Sequence, residues 1–247
     1  MLVIGVSPSL TVAALPPNAS RLAASHAAVP RQWPLSLVGA LLVALPVFLQ
    51  APWVRLAPFS AALFTAPLLL AGILLARQPN PRLSTAGTLL VGFSGSWLGG
   101  CLFWGWCRLH PLWHLPIEAF ALPLALGGLN TRWRLAASFY LASLLGTAAT
   151  DGVMAITGVM RQWTDVLLAP PDQAPHLLQA AALGVLQPVA LTVTLLAGGL
   201  LVSLCRRFWS HPDPAWRLAA SAMGTTLAVD GLFLAAALWA PQLSGLI

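Results

Sequence analysis

The chain has 247 residues, 58% of them hydrophobic and 7% charged, with a mean hydropathy of +0.83 and a net charge of +6. Soluble domains carry about 25% charged residues; twelve basic and six acidic side chains cannot coat a globule of this length, so a soluble domain is excluded. The positive balance comes from arginine alone, placed singly or in pairs at the ends of apolar runs. That is the pattern of membrane topology signals, and it argues against nucleic acid as a partner.

Residues 1–32 read as a disordered tail, with short apolar patches, Pro16-Pro17 and no basic residue ahead of the first patch, which gives poor support to a cleavable signal. Residues 33–240 read as a transmembrane helical domain and 241–247 as a short C-terminal tail. Seven apolar segments are expected at 33–50, 56–76, 83–107, 115–129, 135–160, 177–204 and 217–240, since about 20 apolar residues in a helix cross a bilayer core of roughly 30 Å. The fold expected is therefore all-α: a polytopic transmembrane bundle in the lipid bilayer. Between the fifth and sixth segments, residues 161–176 hold a small amphipathic piece, expected on the membrane surface.

The fourth segment is short and contains Pro116, Glu118 and Pro123. Arginine counting decides whether it crosses. With seven crossings, one side holds Arg21, Arg31, Arg77, Arg82, Arg132, Arg134, Arg206, Arg207 and Arg217, and the other only Arg55, Arg108 and Arg161. If the fourth segment turns back, the two sides become nearly equal. The positive-inside rule favours seven, with a cytoplasmic N-terminus and an outside or luminal C-terminus.

The densest chemistry lies at residues 97–118. Trp97, Trp104, Trp106 and Trp113 have two readings, an aromatic belt at the outer interface or a wall for a flat ligand or lipid headgroup beside Arg108. His110, His114 and Glu118 repeat every four residues and would share a helix face, but Pro111 and Pro116 interrupt the run. A metal or a pigment is the cofactor such ligands would hold, though interface histidines without a ligand are commoner. No nucleotide-binding, zinc-protease or serine-hydrolase motif is present.

Trp133 to Ser138 recurs identically as Trp216 to Ser221, and each copy leads to Thr-x-x-x-Asp-Gly: Thr147 with Asp151, and Thr226 with Asp230. At 1.5 Å per residue both aspartates lie about 14 Å deep, where a charge is expensive. They are either a proton, ion or substrate site, or helix-packing groups, each capped by its own threonine one turn back and by a neighbouring helix. The echo is either a duplication or the chance product of an Ala/Leu-rich chain. In the third segment Gly95 and Gly99, with Gly92 and Gly100, are a helix-packing signal. The three cysteines read as apolar thiols.

The run Trp104-Gly105-Trp106, Arg108, Pro111 to Glu118 and Leu122-Pro123 resembles a family of cyanobacterial integral membrane proteins known as domain of unknown function 3120. So does Phe139 to Thr147 leading to Asp151. The resemblance covers roughly residues 36–240. It implies a thylakoid or plasma membrane of a cyanobacterium, and it implies no activity and no catalytic residues. Three functions follow as expectations. The first is a factor for assembly or stability of a photosynthetic or respiratory complex. The second is a small proton-coupled carrier using Asp151 and Asp230. The third is an intramembrane enzyme acting on a lipid or isoprenoid through His110, His114 and Glu118.

Overall fold

The computed structural model describes residues 35–243. The expected N-terminal tail lies outside the described residues, as do the last four residues of the C-terminal one. Every described regular element is helical. Six helices are long and apolar enough to cross a membrane: α1 (Leu35–Leu56), α2 (Pro58–Ala76), α3 (Pro81–Cys107), α6 (Arg134–Thr157), α9 (Pro188–Trp209) and α10 (Pro214–Trp239). Between them lie four short helices: α4 (His114–Glu118), α5 (Leu122–Gly128), α7 (Val159–Leu168) and α8 (Ala174–Val185).

Proline punctuates this chain. α2, α3, α9 and α10 each begin on one, where the missing N–H costs no helical hydrogen bond. Asn80 and Asp213 cap α3 and α10 by accepting from Arg82 N and Ala215 N, both at 2.9 Å. Gly158, at φ +80°, ends α6 and swings the chain into α7.

Two expected segments look different in three dimensions. The fourth, 115–129, is not one helix: α4, a 3-10 turn over Ala119–Ala121 and α5 replace it, so six continuous helices stand where seven were expected. Pro116 and Pro123 remove the N–H groups that would join these pieces. The sixth, 177–204, divides at Gln187, whose ψ of 143° ahead of Pro188 breaks the helix; α9 then runs on to Trp209. The amphipathic piece begins at Val159, before the expected boundary, and its Met160 and Val166 are buried.

The packed core joins α1, α3, α6 and α10 through Leu42, Phe93, Trp97, Phe139, Leu218 and Met223. Small residues set the helix separations. A Cβ on Gly92 would fall 2.6 Å from the Ala136 carbonyl, and one on Gly87 2.2 Å from Ala76 N. The outer faces stay apolar, with Leu56, Phe59 and Leu195 exposed, which is the surface a bilayer solvates. These features make the chain an integral membrane protein of the multi-pass helical kind.

Neighbouring residues fix the direction of the central helices. Gly92 lies on Ala136 and Gly95 on Tyr140, so α3 and α6 run the same way. Gly146 meets Thr226 and Thr150 meets Asp230, so α10 runs parallel to α6. Residues 111–128 return in the opposite sense: His114 sits by Asp151, Glu118 by Thr147, Ala121 by Tyr140 and Gly128 by Ala137.

Candidate functional site

Where α3 ends, its last turn widens over Phe103–Cys107, and residues 108–110 leave the helix. This turn is held from α7, whose Trp163 Nε1 donates to the Arg108 carbonyl at 2.8 Å and whose Thr164 hydroxyl donates to that of Leu109 at 3.3 Å. Pro111 opens a 3-10 turn, and α4 follows with Pro116 in its single turn. The local break brings two elements of the expected pattern into line and discards the third. His114 and Glu118 share a face, with Nε2 to Oε1 3.3 Å. His110, at φ −120° ahead of the turn, is exposed, as is Arg108.

The aligned pair meets α6. His114 Nδ1 lies 3.1 Å from Asp151 Oδ1, and Thr147 Oγ1 donates to Glu118 Oε2 at 3.0 Å. Tyr140, the chain's single tyrosine, donates its hydroxyl proton to the Glu118 carbonyl and accepts from Ala121 N at 3.1 Å, locking α4 to α6 at the break. One turn beyond Thr147, Thr150 Oγ1 donates to Asp230 Oδ2 of α10 at 2.5 Å. The Asp151 and His114 charges also reach Asp230. Three carboxylates and one imidazole from α4, α6 and α10 thus form one cluster.

The threonine caps differ from the expected ones. Thr147 serves Glu118 rather than Asp151; Asp230 is bonded from α6; and Thr226 donates back to the Ala222 carbonyl at 3.2 Å, its methyl side covering Gly146. The reason is rotational: a threonine four residues before an aspartate shares its face, but on that face the closer partner belongs to another helix.

Both imidazole nitrogens of His114 are engaged, Nδ1 with Asp151 and Nε2 with Glu118. Neither nitrogen is free to ligate a pigment or metal without breaking one of these bonds. Among the described residues, no set of three or more His, Cys, Asp and Glu side chains is arranged to hold a metal ion.

The cluster forms part of the wall of a cavity of about 550 Å³ running through the bundle. Glu118, His114, Asp151, Asp230, Thr147 and Thr226 line it; Arg108 and His110 do not. Most of the wall is apolar, built from Leu42 and Val47 of α1, Met154 of α6, Val166 of α7, Leu201 of α9 and Phe233 of α10. Phe103 stacks on His114 at 4.1 Å between ring centroids, and Trp104 bridges His114 and Trp163 at 6.4 and 5.6 Å.

The four expected interface tryptophans divide. Trp97 is buried, in T-shaped contact with Trp53 and Phe64, and donates to the Ala61 carbonyl at 2.9 Å. A large ring deep in the core satisfies its one N–H through a backbone carbonyl there, so it needs no water. Trp104 lines the cavity, while Trp106 and Trp113 are exposed. Thr150, Tyr140, Phe103 and Trp163 join the site without having stood out in the sequence. Trp163 had one signal, its place on the amphipathic piece next to a break.

A family model matches residues 39–238, which span the whole of this site. The chain belongs to the family described as Protein of unknown function (DUF3120). No curated protein and no solved structure matches it. The matched region of the DUF3120 family takes in all six long helices almost entirely, together with the broken segment that carries His114 and Glu118.

Proposed function

We propose that this DUF3120 protein is a proton-coupled membrane carrier. Its proton site is the Glu118–His114–Asp151–Asp230 cluster, and its substrate chamber is the cavity that the cluster borders. One observation carries the reading: three acids and an imidazole converge from three elements onto the wall of a largely apolar cavity, where ionised groups are costly and protons move readily on and off. A packing role needs no such concentration of charge. The site also sits at a broken helix, the arrangement by which carriers expose backbone and side chains to a buried substrate.

In this reading the return of residues 111–128 is a crossing made in pieces. There are then seven passages, with the N-terminus cytoplasmic and the C-terminus outside or luminal, as the arginine distribution favours. The family likeness supports a cyanobacterial thylakoid or plasma membrane as the location. The alternative, a factor assembling a photosynthetic or respiratory complex, would draw on the exposed apolar flanks of α1 and α2, but lipid accounts for those. The enzyme reading loses His110, which stands apart from His114 and Glu118.

The test uses everted membrane vesicles energised to an acidic interior, with a pH-sensitive dye and a panel of cationic, anionic and neutral amphiphiles. At least one class should shift the proton gradient in wild-type vesicles and not in Asp151→Asn vesicles holding the same amount of protein. Identical traces from the two across the panel would overturn the carrier reading.

A further inference from the structure

The chamber has a chemistry more specific than its size. Among the described residues it is lined by three acids and no arginine, and the chain contains no lysine. With Glu118, Asp151 and Asp230 ionised and His114 as imidazolium, the wall carries a charge of −2. An apolar cavity does not keep such an excess; it is neutralised by protons or by a cationic ligand. Beside the carboxylates stand the rings of Phe103, Trp104 and Trp163. Aromatic faces next to carboxylates form the environment that attracts organic cations. The one basic group on the wall, His114, is already bound to Glu118 and Asp151, which leaves little for an anion. At about 550 Å³ the cavity is in the range that holds a ligand of drug size.

We propose that the chamber binds a hydrophobic organic cation, an amine or onium with apolar or aromatic bulk, in exchange for protons. The inference rests on the carrier reading and adds the substrate class to it. The exchange makes and breaks no covalent bond. A monovalent cation enters between the aromatic wall and the carboxylates, and its charge favours release of at least one proton from the cluster to water; on the other side of the membrane a proton returns and the cation leaves.

The titratable groups facing the ligand are Glu118 and His114 on α4, Asp151 on α6 and Asp230 on α10. Tyr140 is bonded to the α4–α5 junction behind them. The α3 and α7 sides contribute Phe103, Trp104 and Trp163, which do not ionise at physiological pH.

Two ions of the same shape and opposite charge test this on the purified full chain in detergent: tetraphenylphosphonium and tetraphenylborate. Binding is read by titration calorimetry at pH 6, 7.5 and 9, in buffers of different ionisation enthalpy so that released protons are counted. The phosphonium should bind with a Kd that falls as pH rises, by up to tenfold per pH unit for one displaced proton, and tetraphenylborate should not bind. Glu118→Gln and Asp151→Asn should weaken phosphonium binding at least tenfold and flatten its pH slope. Trp163→Leu, on a different element, should weaken it several-fold and leave the slope intact.

Tetraphenylborate binding as tightly, or neither ion binding to protein that elutes as a single folded species, would overturn the cationic class. So would phosphonium binding indifferent to pH and to both carboxylate variants. The vesicle panel then separates the two readings, because a neutral or anionic solute that still moves protons through Asp151 keeps the carrier and removes only the cation.

Discussion

Two polar insertions interrupt the apolar interior of this bundle, and they are built on different principles. At the end of α1, Gln50 is 4% exposed and its amide reaches the Trp97 carbonyl at 2.5 Å and Cys101 Sγ at 3.0 Å, against the face of Gly100. It also borders the cavity, but it is neutral and held on its donor side. In the broken segment, His114 holds two carboxylates while a third, Asp230 on α10, accepts from Thr150, all on the cavity wall. A neutral amide satisfied by a backbone carbonyl ties helices together. Charges held together next to a cavity retain the freedom to exchange protons, and that freedom is what a stable packing contact lacks.

The difference can be broken or sharpened by substitution, and the largest effect should come from neither site. Gly92→Leu places side-chain atoms where the Ala136 backbone already lies, so α3 and α6 cannot approach and the cluster cannot assemble. It should cost at least ~1–3 kcal/mol and leave little monodisperse protein in size-exclusion chromatography. Asp151→Asn comes next. It removes the shorter of the two carboxylate contacts to His114 while keeping the shape, and should abolish solute-linked proton movement in vesicles while the protein still inserts.

The third effect tests the imidazole bridge itself. His114→Gln cannot span Asp151 and Glu118 as the ring does and leaves at least one carboxylate without its partner. Thermal melts in detergent should show a loss of about 1–3 kcal/mol; an unchanged melt would remove the bridge from the account. Gln50→Leu should have the smallest effect. It gives up a hydrogen bond inside the bundle for apolar contact, a change of about 1 kcal/mol of either sign in the same melts.

Much of this was legible in the sequence because it depends on local composition. The apolar runs, the arginines at their ends and the prolines at Pro116, Pro123 and Pro188 specify membrane helices and most of their breaks without reference to any partner. Six acids in 247 residues made Glu118, Asp151 and Asp230 conspicuous. Where local rules misled, rotation or depth was at issue. Trp97 fits an interface belt by residue type but sits in the core, because α3 is the most enclosed of the long helices.

By itself, then, the sequence determined the class of the protein, the places where its helices start and stop, and the short roster of groups costly enough in lipid to need a purpose. The tertiary structure alone decided their partners. His114 meets Asp151 across 37 residues, and Thr150 meets Asp230 across 80. Such pairs depend on how each helix is turned about its axis and how closely glycines such as Gly92 and Gly146 let its neighbour approach. No local pattern encodes that rotation; it comes from packing all the helices at once.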